Sequence, residues 1–154
     1  MAERLTLDDG VLELEINGNG VLRFNPSDPN VYQRFLALAR ELPEMEKQWS
    51  AETARSGEQA DEAARAAEAL DRLKDLDADV KRRLGEVFGG ENDFDALLGG
   101  VNLMAMGRNG QRVVTNLLAA LGPYMEEGVE RYRRESAEAA VAQAERERAL
   151  RGAR

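Results

Sequence analysis

From Val11 to Phe24 the chain alternates apolar and polar residues, with Leu12, Leu14 and Ile16 before "NGNG" and Leu22 and Phe24 after it. A period of two predicts two short strands. Asn17-Gly18-Asn19 predicts the loop between them, because Asn and Gly tolerate the left-handed backbone that tight hairpins need. With a three-residue loop, Leu14 faces Leu22 and Leu12 faces Phe24, while Ile16 extends the same apolar face. On the opposite face Glu13 meets Arg23, a favourable cross-strand pair. One apolar and one charged face describe a sheet covered on one side only. Two strands alone are marginal in water, so the rest of the chain must supply the cover.

The period changes after "NPSDPN". Asp28 is placed to cap a helix and Pro29 to start it. Val31, Phe35, Leu38, Leu42, Met45 and Trp49 then recur at spacings of four and three, which is one face of a helix over 27–49. Tyr32, Leu36 and Ala39 widen that face. Pro43 interrupts the backbone ladder without breaking the apolar register, which predicts a kink or two short helices. Residues 50–65, rich in Ala and charge, read as a connector or an exposed helix. From about Ala66, Leu70, Leu73, Leu76, Val80, Leu84 and Val87 form a second stripe that Gly89-Gly90 ends.

A Gly-rich stretch follows, in which Asn92 or Asp93 is placed to cap a short turn through Leu98. Helix resumes over Gln111–Leu121. Gly122-Pro123 predicts an interruption, and a helix running to the end of the chain carries few large apolar residues after Tyr132. The expected architecture is α+β and predominantly α-helical: an N-terminal β-hairpin and a helical bundle with a long C-terminal helix. We read one domain over 1–154, with a hairpin region 1–26, a first helix 27–49, a connector 50–65, a helical core 66–128 and a partly frayed C-terminal helix 129–154. The hairpin residues are expected to pack on the first helix and on the Val87–Leu98 region.

Composition narrows the chemistry. The chain has 154 residues, no Cys and no His, which removes thiolate nucleophiles, Cys- or His-ligated metals and the usual near-neutral proton shuttle. No cofactor is expected, and an enzyme is the least favoured class. Asp75, Asp77, Asp79 and Glu86 stand at calcium-loop spacing, but Val80 occupies the position where that loop needs Gly, and a helix would spread the carboxylates. Asp93 and Asp95, flanking Phe94, read as helix-capping groups before acid–base groups. "NGNG" lacks the third Gly of a dinucleotide fingerprint, and "GRNGQR" lacks the Lys-Ser/Thr of a phosphate loop.

The net charge is -8, which argues against nonspecific nucleic-acid binding. The charge is uneven: from Val129 onward seven Arg and five Glu leave +2, against -10 before it. No apolar run reaches the roughly 20 residues that span a bilayer, and no signal peptide opens the chain, so a soluble cytoplasmic protein is expected. Aromatic residues are 5% and charged residues 32%, a lean core that favours burial against a partner or a second copy. Candidate partner-binding residues are Val31, Phe35, Leu38, Leu42, Met45 and Trp49, with Leu103, Met104 and Met106 as an adaptable Met-rich surface. Leu12, Leu14, Ile16, Leu22 and Phe24 mark a hairpin whose edges are candidates for self-association, for which a proline at Leu14 is the first disruption to make.

The order of elements resembles the tail assembly chaperones of long-tailed, siphovirus-type bacteriophages of Gram-positive hosts. The likeness rests on Ile16-Asn17-Gly18, Val87-Phe88-Gly89, and Leu117-Leu118 with Leu121, Pro123 and Tyr124. It implies a non-enzymatic protein that coats the helical tape measure protein, works with other tail assembly proteins in the host cytoplasm and is missing from the mature virion. It implies no catalytic residue. A structural virion protein of tail or head completion, and a helical adaptor unrelated to phage, remain open as alternatives.

Overall fold

A computed structural model of the chain describes residues 2–56 and 61–152. It contains a two-stranded antiparallel sheet, β1 (Leu12–Glu15) and β2 (Val21–Phe24), followed by α1 (Pro29–Ser56), α2 (Glu62–Phe88), the single turn α3 (Phe94–Leu97) and α4 (Val113–Gly152). The fold is the expected α+β one, mostly helical, with a long closing helix.

The hairpin register is the one the alternation predicts: Leu12 pairs with Phe24, Glu13 with Arg23, and Leu14 with Leu22. Asn17 and Gly18 both take left-handed backbone, with φ of 50° and 74°, and the Asn19 N–H donates to the Ile16 carbonyl at 2.9 Å. This matches the primed turns whose twist suits a hairpin. Leu22 and Phe24 are buried, and Leu14 and Ile16 pack against the core from its margin.

Phe88, at the end of α2, is the hub that joins sheet to helices. Its ring lies 4.9 Å from Phe24 in edge-to-face contact, 6.2 Å from Phe35 and 5.6 Å from Phe94. Val31, Phe35, Leu38 and Leu42 of α1, Val80, Leu84 and Val87 of α2, and Val114, Leu117, Leu121 and Met125 of α4 close the same core. Phe24 against Phe88 and Gly20 against Leu97 seat the hairpin on the Phe88–Leu97 corner of that core.

Several boundaries differ from the sequence reading. α1 continues to Ser56 instead of ending at residue 49, and α2 begins at Glu62, with Asp61 accepting from the Ala64 N–H as its cap. The expected connector is therefore helical to Ser56 and again from Glu62; residues 57–60 lie outside the described residues. α1 is one helix through Pro43, and α4 is one helix through Gly122-Pro123. Each proline removes one backbone donor. Both sit on the exposed side, where water can meet the freed carbonyl, while buried neighbours on the other side (Leu42, then Leu121 and Met125) hold the helix in register. Asp93, not Asn92, caps α3.

Candidate functional site

The buried polar groups serve to hold the corner after α2 together. Asn92, 5% exposed, accepts from the Arg23 N–H at 2.9 Å and donates to the Arg23 carbonyl at 2.8 Å and the Phe88 carbonyl at 3.1 Å. Its side chain stands where a third strand would pair with β2. Arg34 donates twice to the Val87 carbonyl, at 3.2 and 3.0 Å.

Lys81 is the buried cation. Its Nζ lies 2.8 Å from Asp77 and 2.6 Å from Asp95, and Asp77 also accepts from the Leu103 N–H at 2.8 Å. Burial by itself lowers the lysine pKa, but the hydrogen bonds and charges of Asp77 and Asp95 outweigh it and leave it raised above 10.5. A lysine whose folded value is raised contributes its stability fully below its unfolded value, and loses it as pH climbs through the folded one. Lys81→Met is therefore expected to cost about 2–3 kcal/mol at neutral pH, since it strands the sheltered Asp77 carboxylate. Urea denaturation of both proteins should show that gap closing at strongly alkaline pH.

The carboxylates at calcium-loop spacing do not converge. Asp79 pairs with Arg82 at 2.6 Å and Arg83 at 3.4 Å, and Glu86 pairs with Arg82 at 2.7 Å. Among the described residues no group of three or more acidic side chains is arranged to hold a metal ion. Asp93 accepts from the Ala96 N–H, and Asp95 faces Lys81. Beside them, a shallow groove of about 730 Å³ runs between the end of α2 and α3. Among the described residues no helix is long and apolar enough to cross a membrane.

The expected partner-binding stripe needs correction. Val31, Phe35, Leu38 and Leu42 are buried in the chain's own core, as are Leu103 and Met104. The 3.6-residue period marks a face that will be covered, and here the chain's own core covers it before any partner arrives. Met45 and Trp49 are half-buried further along α1, where they line a 370 Å³ recess with Leu76 of α2. Met106, bridged to Arg112 at the base of the loop before α4, is 65% exposed. Of the hairpin set, Leu22 and Phe24 are buried, and Leu12, Leu14 and Ile16 are half-buried.

The segment before β1 went unmarked in the sequence reading, although Leu5 and Leu7 are 86% and 69% exposed and "RLTLD" gives their i, i+2 spacing. A second exposed region, the distal half of α4, was expected as a partly frayed helix and is helical to Gly152. Beyond Glu130 every described residue is exposed, so roughly 33 Å of helix stands clear of the core, at 1.5 Å per residue. Tyr132, Val141 and Leu150 lie open along it. Compared with known protein families, curated proteins and solved structures, the chain matches none.

Proposed function

We propose that this protein is a phage tail assembly chaperone, which binds the tape measure protein, keeps it soluble and promotes tail tube assembly. The observation that carries the proposal is the uncovered half of α4. Isolated helices owe most of their stability to packing, and this one, with few large apolar residues, gains none beyond Glu130. Its Ala137, Ala140 and Ala144 recur at helical spacing and let another helix approach closely, with the exposed Val141 beside them as a larger contact. An elongated helical client suits that surface, and the tape measure protein is such a client. The motif order around Ile16-Asn17-Gly18, Val87-Phe88-Gly89 and Leu117–Tyr124 supports the same reading.

The test is a pull-down with the full chain from infected or induced cells, paired with mass spectrometry of purified virions. A long helical protein should be retained, and the chain should be missing from mature particles. Finding it as a stoichiometric virion component would instead assign it a structural role. Ala140→Asp with Val141→Asp should lower client recovery about tenfold at unchanged circular dichroism. Undiminished recovery would remove α4 from the interface.

A further inference from the structure

The two edges of the sheet are not equivalent. The Ile16 N–H donates to the Gly20 carbonyl at 3.0 Å, so by the antiparallel alternation Leu12, Leu14 and Ile16 direct their backbone groups at β2, and Glu13 and Glu15 direct theirs outward. On β2 the outward residues are Val21 and Arg23, and Asn92 satisfies both backbone groups of Arg23. On β1 the outward N–H and C=O groups of Glu13 and Glu15 meet no protein partner among the described residues. The β2 edge is blocked at Arg23, and the β1 edge is open along its length.

The chain also carries an unused strand. Arg4-Leu5-Thr6-Leu7-Asp8 alternates as β1 does, yet it is exposed throughout and joins no sheet. We propose that this segment of one copy adds to the open β1 edge of a second copy, as an antiparallel third strand. Charge and parity select a single register. Leu5 faces Leu14 and Leu7 faces Leu12, extending the apolar face, while Arg4 meets Glu15 and Thr6 meets Glu13 on the charged face. Sliding two residues one way sets Asp8 against Glu13; sliding the other way leaves Leu14 uncovered. A parallel arrangement with Leu5 by Leu12 and Leu7 by Leu14 sets Asp8 beside Glu15, and one moved on by two residues leaves Leu12 uncovered.

The same register is reachable within one chain only through a two-residue turn at Asp9-Gly10, and the turn types that suit a hairpin all require positive φ at the first of the two. Gly10 has it, at φ 72°, but Asp9 does not. The Val11 N–H, which such a turn would direct to the Asp8 carbonyl, is held by the Asp9 carboxylate at 3.1 Å. The Asp9 carbonyl is held by the Asn25 side chain at 2.9 Å. The hinge is fastened in an open form, so the strand leaves its own sheet and its complement is presented by a neighbour. This is strand exchange between identical chains.

The absence of cysteine allows a direct test. Facing residues of an antiparallel pair have Cα atoms about 5.5 Å apart, within disulfide reach. Thr6→Cys and Glu13→Cys chains, mixed and oxidised, should give a covalent dimer containing one of each, at least tenfold over either homodimer. The double variant should give covalent oligomers. An internally bridged monomer from the double variant, or no cross-link from folded protein, would overturn the proposal.

Sedimentation of the full chain supplies a second readout that requires no client, so its outcome is separable from that of the chaperone reading. Glu13→Pro removes an outward N–H and leaves the β1–β2 ladder in place, whereas proline at Leu14 would break the hairpin itself. Glu13→Pro should weaken self-association at least tenfold at unchanged helix content. A wild-type chain that stays monomeric at every concentration would refute the exchange.

Discussion

Gly128→Ala is expected to destabilise the protein by about 3 kcal/mol or more, lowering the melting temperature by roughly 10 °C for a domain of this size. From the sequence alone the opposite sign follows, because Ala is favoured over Gly within a helix by about 1 kcal/mol. The tertiary contact reverses it. A methyl group at this position would lie 2.0 Å from the Pro26 carbonyl oxygen and 2.4 Å from the Pro26 carbonyl carbon. Neither is the tip of a flexible side chain. The β2–α1 corner would have to move off α4, and Met125, 1% exposed one turn away, would lose its packing with it. Thermal unfolding of the two proteins measures both the sign and the size. A stabilised Gly128→Ala would mean that α4 does not seat against Pro26.

Asn92→Asp is the second large effect, about 3 kcal/mol or more at neutral pH. The shapes are nearly identical, and the carboxylate can still accept from the Arg23 N–H. What it cannot do is donate. The Arg23 and Phe88 carbonyls, at 2.8 and 3.1 Å, would each face a negative oxygen in a buried site. Burial and those two carbonyls raise the folded-state pKa of the new carboxyl above its unfolded value near 3.9. The folded protein then holds a proton that the unfolded chain releases, so stability relative to wild type falls as pH rises through that interval. Urea denaturation at several pH values should show the deficit smallest in acid and full at neutrality. An equal deficit at every pH would mean that the amide N–H groups do not bear on those carbonyls.

The hairpin was legible residue by residue, because strand alternation and the Asn-Gly turn are local properties. So were the N-cap at Asp28, whose carboxylate accepts from the Asn30 N–H, and the stop at Gly89, while the cap of α3 was narrowed only to Asn92 or Asp93. Helix lengths were less so. Pro43 and Gly122-Pro123 carry a local signal for interruption, and nothing nearby in sequence announces that buried neighbours will override it. Asn92 gives no sequence signal of its role. Its partners are Phe88, four residues away, and Arg23, on a strand 69 positions earlier. Lys81 is similar: an Asp four residues before it suggests a surface helical pair, and only the return of α3 brings a second carboxylate, Asp95, to the buried amine.

The candidate interface shows where such reading stops. Val31, Phe35, Leu38 and Leu42 were identified correctly as a face that must be covered, but not by what. Periodicity records that water is excluded from a stripe; it holds no information on whether the excluding surface belongs to the same chain. The order of strands and helices, the pairing register, the charge imbalance and the lack of thiol and imidazole chemistry were fixed by residue identity alone. Which stripe is spent internally, which sheet edge Asn92 closes, and which half of α4 stands free were decided when distant segments packed, because burial is a property of the assembled surface and not of any one segment.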